Sequence, residues 1–489
     1  MGEIQGTLFR PEFNRSIQVE ARRDRLSADS GAVLLRELMQ RLGLPALLRE
    51  HLTDPRDATR TIHPFMELVL THVLMDAQGW NDQADVSRLR NDPILRLAVS
   101  GRRGDGPLRS GSKGDPDGLC SQPTLSRLLG ALATWDNRVG LEAVLLGLAE
   151  RRAGLGTRRL GEVTLDLDSL PVVVHGHQPG SAYNGHFRAR CYHPVVVRWD
   201  RGDYLAAELR PGNAYTADGA LAFVWPIIEW ALERADRVWL RMDAGFPEPE
   251  LLGTLEDGGV RYVARLRSNR ALERLAAPYL EAPRDQEPGA EAVRVHELSY
   301  QADTWECARR VVLVIVERED EQGELFSDHF FLLTNVSAEE LDGVALLERY
   351  RQRGTAEKDF GEWKNALDLS LSSAPRPKKH YRENLVRTPY EEPDSFAANE
   401  ARMLLSLLAA NILDAAADLL GRHLRQACSR ERFRQLVLRV AGRVLLSGRR
   451  ITVVVNSAVA PLWSAVWTEM ERTYPARGSP ELQALLTPA

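Results

Sequence analysis

The spacing of apolar residues changes at Gly161. Before it the period is helical. "SADSGAVLLRELMQRLGL" opens with capping residues and then sets apolar positions at helical intervals. "HPFMELVLTHVLMDAQGW" and "NDPILRLAV" continue the pattern, so residues 28 to 98 read as helices. Ser100 to Gly118 is rich in Gly, Ser, Pro and basic residues and reads as a loop. "SQPTLSRLLGALATW" restarts a helix, with Ser121 as N-cap and Pro123 in the first turn.

Beyond Gly161 the period falls to two. "VTLDLDSLPVVV" sends Leu165 and Leu167 to one face and Thr164, Asp166 and Asp168 to the other. "HPVVVRWDRGDYLAAELR" reads as two strands joined by a tight Asp-Arg-Gly-Asp turn. "ADGALAFVWPIIEWALERA" reads as a helix. "RVWLRMDAGF" is a strand closed by Asp243, a loop and helix follow from Pro247, and "VRYVARL" is a further strand. Strand, hairpin, helix, strand, helix, strand describes a mixed α/β sheet. Residues 270 to 340 mix a polar loop with the strand-like runs "AVRVHELSY", "RRVVLVIVE" and "HFFLLTN", and read as a β-rich insertion. Helix returns at "SAEELDGVALLERYRQRG", with Ser337 and Glu340 placed for a capping box. A loop with basic then acidic residues follows. From Phe396 the chain is helical again as far as "RRITVVVNS".

The stretch "YRQRGTAEKDFGEWKNAL", Tyr350 to Leu367, reads as a continuation of that helix. At about 100° per residue, Tyr350, Arg353, Glu357 and Lys364 share one narrow stripe with Leu346 and Phe360. The opposite side is charged as well. Charges on the apolar stripe of a helix need partners in the core. An ion-pair stripe, Arg353 to Glu357, is the plain explanation if the helix is taken alone.

Composition narrows the class. A chain of 489 residues exceeds one hydrophobic core, and 44% hydrophobic with 27% charged residues is ordinary for a globular protein. No run of eighteen apolar residues reads as a membrane span, and "MGEIQGTLFRPEF" carries no signal-peptide pattern. The four cysteines, Cys120, Cys191, Cys307 and Cys428, lack metal-ligand spacing and suit a reduced cytoplasm. A net charge of −5 means that any nucleic-acid contact must rest on local basic patches.

Three carboxylates stand where structure alone does not call for them: Asp168 in an apolar strand, Asp243 at a strand end, and Glu357 on an inner helix face. Converging buried carboxylates repel and are desolvated unless a cation joins them. Hard oxygen ligands suit Mg²⁺ or Mn²⁺. Two such ions about 4 Å apart clamp the attacking and leaving oxygens of a phosphoryl displacement. Arg353 in a fork and Lys364 as a point charge would then meet phosphate oxygens, and Tyr350 would stack on a base or bond a phosphate.

Tyr350, Arg353, Glu357 and Lys364 match, without gap or substitution, the Y-x2-R-x3-E-x6-K signature of bacterial DDE insertion-sequence transposases. "LDLDSLPVVVHGHQPGSAYNGH" with "YHPVVV" resembles the first-aspartate region of that superfamily's thirteen-eighty group, and "LRMDAGF" resembles its second. "SADSGAVLLREL", "LRNDPILRLAV" and "SQPTLSRL" are similar to that group's opening segment, and "ANEARMLLSLLAANIL" and "RVLLSGRRITVVV" to its end. The resemblance covers most of the chain.

It implies an α/β, RNase H-like catalytic core with a β-rich insertion, flanked by helical N- and C-terminal domains. Residues 1–158 would bind the transposon end, 159–375 would be catalytic with the insertion at about 270–340, and 376–489 would be a basic linker and helical domain. The implied activity is cut-and-paste transposition. Asp168, Asp243 and Glu357 would hold two Mg²⁺, with Mn²⁺ as substitute. Tyr350, Arg353, Lys364, Lys378, Lys379 and Arg382 would contact DNA. Asp166 stays an alternative to Asp168, which is favoured because the small hydroxyl residue Ser169 follows it. The implied partners are double-stranded DNA, as terminal inverted repeats and target, and a second copy in the synaptic complex, in a bacterial cytoplasm. A DNA-binding protein that has lost catalysis, and an RNase H-like nuclease without strand transfer, are the rival readings.

Secondary features are weaker. Trp305 is a candidate wedge into DNA, against packing in a small core. His175, His177, His186 and His193 lack a zinc-ligand spacing, and a solvated, DNA-contacting loop is the plainer reading. Arg430, Arg432, Arg434, Arg439, Arg443, Arg449 and Arg450 could track a DNA backbone, or simply solvate helix faces. The helix at "TLSRLL" could belong to a helix-turn-helix.

Overall fold

The computed structural model describes residues 5–21, 24–109, 118–156, 158–174, 178–280, 292–319, 325–354, 360–361, 363, 371, 395–448 and 450–476. Chain contacts divide it into two compact units, one of residues 1–131 with 412–489, the other of residues 132–411.

The second unit is built on a mixed sheet. Its elements are α1 (Trp135–Ala153), β1 (Val163–Ser169), β2 (Val172–Val173), β3 (Ala182–Asn184), β4 (Ala189–Tyr192), β5 (Val195–Trp199), β6 (Tyr204–Glu208), α2 (Ala220–Arg234), β7 (Val238–Met242), α3 (Pro249–Asp257) and β8 (Arg261–Leu266). They continue with α4 (Arg270–Leu280), β9 (Ala292–Tyr300), β10 (Arg309–Glu319), β11 (Leu325–Thr334), α5 (Gly343–Arg351) and α6 (Ser395–Leu424), of which the part up to Asn411 belongs here. Among the described residues, eight strands pair in the order β9-β10-β11-β8-β7-β1-β5-β6. β1, β7 and β8 run parallel, and every other neighbour pair is antiparallel. β2, β4 and β3 form a separate small sheet between β1 and β5 in the chain.

The period-two pattern of β1 sorts its residues as expected. Val163, Leu165 and Leu167 join the larger core with Leu240 and Met242 of β7 and apolar residues of α2 and α3. Trp239, Val263, Val312, Val314 and Leu332 line the other face and pack on Leu346 and Leu347 of α5. Asp166, Asp168 and Arg241 alternate with the first set, so they lie on the α5 side of the sheet.

The strands of the 270–340 stretch extend this same sheet through the β8–β11 pair and do not stand apart as a small sheet. Val311 to Val316 of β10 and Phe331 to Leu333 of β11 are buried in unbroken runs, on both faces, which requires layers on both sides. Trp305 is 7% exposed, edge-on to Tyr300 and stacked under Arg309, and belongs to the larger core. That is the packing alternative, not the wedge.

α5 begins at Gly343. Its cap is Asp342, whose carboxylate accepts from Ala345 N at 2.8 Å. Ser337 accepts from Glu340 N at 3.3 Å in the preceding turn, so this pair does not cap the helix. The described helix ends at Arg351 with Gln352 in a turn, and the backbone is helical again at Arg353 and Gly354.

The edge strand β6 is covered by a side chain. Asn411 donates to Tyr204 O at 2.9 Å and accepts from Tyr204 N at 2.8 Å, as a neighbouring strand would. Trp363 and Phe360 tilt against Tyr204, each with ring centroids 5.8 Å away, and Trp363 donates to Ser406 Oγ at 3.0 Å.

In the first unit, helices Ala32–Arg41, Leu44–His51, Phe65–Gln78 and Pro93–Val99 share a buried apolar core. Gly442–Ser447 pairs with Arg450–Val455 and with Leu26–Ser27, which ties the two chain ends into one sheet. Two arginines expected to track DNA are buried here. Arg430 forks onto Asp414 with two 2.7 Å bonds, and Arg434 donates to the carbonyls of Ala77 and Asp76 at the end of Phe65–Gln78. Their charges answer a carboxylate and a helix C-terminus instead. Arg432, Arg439, Arg443 and Arg450 are exposed, and Arg449 lies outside the described residues. One described helix, Ser395–Leu424, is long and apolar enough to cross a membrane, and 89% of its most apolar window is buried inside the protein.

Candidate active site

β1 and β7 are in register from Val163 opposite Val238 to Leu167 opposite Met242. The next residue on each strand is a carboxylate, Asp168 on one and Asp243 on the other. Adjacent strands lie about 4.8 Å apart, so the two aspartates lie at the same level near the carboxyl ends of neighbouring parallel strands. Ligand sites of open α/β sheets sit at such carboxyl ends. Among the described residues no group of three His, Cys, Asp or Glu side chains is placed to hold a metal. Glu357, Lys364, Lys378, Lys379 and Arg382 lie outside the described residues.

Both carboxylate oxygens of Asp168 have partners. Its Oδ1 accepts from Ser169 N at 2.8 Å, and its Oδ2 lies 3.0 Å from Arg353 Nη2. Arg353 is 5% exposed, so the buried face expected for it is where it sits. Asp243 is half-buried in a turn closed by Phe246 N donating to its carbonyl. That turn is held from the side. A Cβ on Gly245 would lie 2.6 Å from Thr216 Cγ2, so only glycine lets the Thr216 loop approach. The loop is itself pinned by the buried Arg210, which donates to the carbonyls of His193, Tyr215, Thr216 and Asp218.

Asp166 is occupied. Arg241, directly opposite on β7, forks onto both of its oxygens at 2.7 Å. The remaining Arg241 nitrogen reaches Arg349 O at 3.0 Å and Gln352 Oε1 at 3.3 Å. Arg349 in turn donates to Glu162 Oε1 at 2.6 Å and to Thr164 Oγ1 at 3.3 Å, and lies over the Trp239 ring at 4.1 Å. Burial pushes the Glu162 carboxyl up, but the bond and charge of Arg349, helped by Trp239 and Arg237, outweigh it and hold the group below its ordinary range. One row of even-numbered residues, Glu162 just before β1 and Thr164, Asp166 and Asp168 on it, thus meets one row of basic groups from α5, the residues after it and β7.

The family described as transposase DDE domain group 1 matches residues 9–473. The chain belongs to that family. No curated protein matches it. As a DDE transposase it acts on DNA, and its family generally uses divalent metals. The donor set fits that use. Both described aspartates are hard oxygen donors near the carboxyl ends of adjacent strands, and one of them already faces a positive group.

The remaining expected site residues of this transposase fall as follows. Tyr350 is half-buried and packs beside the smaller core. Phe360 and Trp363 pack on Tyr204 of β6. Among the described residues, an added Cβ on Gly354 or Gly361 would meet nothing within 4 Å. His175 and His177 lie outside the described residues. His193 is buried with Nδ1 2.9 Å from Ala214 O, and its burial lowers its proton affinity. His186 stacks edge-on to Phe187. Reading the sequence did not single out Arg241 or Arg210. The signal for Arg241 was present, as an arginine within the apolar run "VWLRM" faces the same side as Asp166.

Proposed function

We propose that this DDE transposase belongs to the thirteen-eighty group, carries the Y-R-E-K signature, and cuts and pastes a DNA element with Asp168, Asp243 and Glu357 as metal-holding carboxylates. The observation that carries the reading is the shared register of β1 and β7, which sets Asp168, next to last in β1, level with Asp243, the residue after β7. Asp166 is the weaker candidate because it is 1% exposed inside a two-pronged fork from Arg241, whereas the Asp168 side chain is 18% exposed. An RNase H-like core is supported by the order β6-β5-β1-β7-β8, a hairpin beside the first-aspartate strand and a parallel partner carrying the second aspartate.

The chain's own groups have separable tasks. Ser169 N fixes the rotamer of Asp168, and Arg353 neutralises it before DNA arrives. Arg353 and the Phe360–Trp363 pair tie both ends of the Glu357 segment to β1 and β6. Mg²⁺ or Mn²⁺ held by the three carboxylates would supply charge neutralisation at the scissile phosphate and a more acidic attacking water. Tyr350, Arg353, Lys364, Lys378, Lys379 and Arg382 then hold DNA. Water breaks the phosphodiester at the transposon end and frees a 3′-hydroxyl, which attacks the opposite strand or a target strand. Residues 1–158 read the inverted repeat, and 376–489 add backbone contacts. Two copies hold two ends together, on bacterial nucleoid DNA.

The test uses purified protein, DNA duplexes of the repeats flanking its reading frame, Mg²⁺ and a target plasmid. Nicked ends and joined products are expected. Nicks without joining would make it a nuclease. Binding without either would make it a DNA-binding protein that has lost catalysis.

A further inference from the structure

We infer that Arg241 is the positioning residue of this site: one buried guanidinium, carried by the strand that leads to Asp243, that bonds both the strand leading to Asp168 and the C-terminal end of α5. The inference rests on the carboxylate reading above. Arg241 lies on β7 two residues before Asp243. Its Nε and Nη2 bind Asp166, which lies on β1 two residues before Asp168. Its Nη1 binds Arg349 O and the Gln352 side chain, at the end of the helix that leads to Glu357.

Stability does not account for this pair. Asp166 is 1% exposed and Arg241 3%. A buried ion pair is commonly no more stabilising than apolar residues of similar volume. What the pair provides is geometry. β1 and β7 are already registered by their backbone ladder, but α5 has no ladder to the sheet. A planar fork with five donors, carried by β7, sets its height by bonding β1 on one side and the end of α5 on the other. Lysine, with one nitrogen, cannot reproduce this. The pair also silences Asp166. Without Arg241, a third carboxylate on the Asp168 face would be free to draw a cation one position too low on the strand.

The experiment compares wild type, Arg241→Lys, and the double variant Asp166→Leu with Arg241→Met. Three quantities are read: thermal melting, Mn²⁺ binding by electron paramagnetic resonance, and single-turnover cleavage of end duplexes against Mg²⁺ concentration. Loss of a group that orients metal ligands typically costs 10–100-fold in metal affinity or activity. Arg241→Lys is expected to weaken Mn²⁺ binding and slow saturated cleavage by about tenfold or more. The double variant is expected to melt near wild type yet remain as slow. The inference is overturned if either folded variant binds Mn²⁺ and cleaves like wild type, or if the double variant regains rate along with melting temperature. Wild-type protein that neither binds Mn²⁺ nor cleaves would instead overturn the carboxylate reading, and this inference with it.

Discussion

Arg353 Nη2 lies 3.0 Å from Asp168 Oδ2, and the arginine is almost wholly buried. A charged group from the segment after α5 therefore ends on the strand-end carboxylate of β1. The same arginine is proposed to meet a DNA phosphate once cations take over its role beside Asp168.

Arg353→Ala separates these roles. Each phosphate contact contributes about 0.9 to the slope of log affinity against log salt concentration on duplex DNA. The variant is expected to bind end duplexes more weakly and with a slope smaller by about 0.9, measured by fluorescence anisotropy between low and moderate salt. An unchanged slope would leave Arg353 as an internal counter-ion only.

Stability should depend on pH through α1. Burial, then the charges of Glu400 and Glu208, push the Glu142 carboxyl from 4.5 up to about 7, against the opposing charge of Arg138. The folded state therefore holds this proton more tightly than the unfolded chain. The contribution is complete below about pH 4.5 and lost as pH rises through about 7. Glu142→Gln is expected to flatten the fall in urea-unfolding free energy across that window. Asp29, raised to about 6 mainly by burial, keeps part of the slope. A pH profile identical to wild type would contradict the assignment.

The Asn411 bridge to Tyr204 serves two main-chain groups at once. Asn411→Ala strands a buried donor and acceptor, each costing about 1–3 kcal/mol. The denaturant midpoint should fall accordingly, and amide exchange at Tyr204 should rise by a similar free energy. Unchanged exchange there would show that the strand edge is satisfied another way.

Several features were legible because they are local. The alternation of Val163 to Ser169 placed Asp166 and Asp168 together on the face opposite Leu165 and Leu167, and helical spacing put Arg353 on the inner stripe with Leu346 and Phe360. Features that depend on a distant partner were not. Nothing near "RRVVLVIVE" says that its neighbour strand will join β8, because strand pairing order is not written in local period. Arg430 and Arg434 follow the same basic pattern as Arg432, yet Asp414 and two helix-end carbonyls take them inside. Ser337 and Asp342 both sit before the helix, and only the observed turn decides that Asp342 caps it.

The central claim is that Asp168, Asp243 and Glu357 act together on one phosphate. The most direct measurement is single-turnover cleavage of end duplexes in Mg²⁺ by Asp168→Asn, Asp243→Asn and Glu357→Gln, alongside their end affinity without metal. Residues acting as a unit lose nearly all activity when any one is removed. Each variant is expected to bind ends within about threefold of wild type and to cleave roughly 10³-fold more slowly or worse. Near-normal cleavage by any one of the three, with binding intact, would remove that residue from the site and contradict the account.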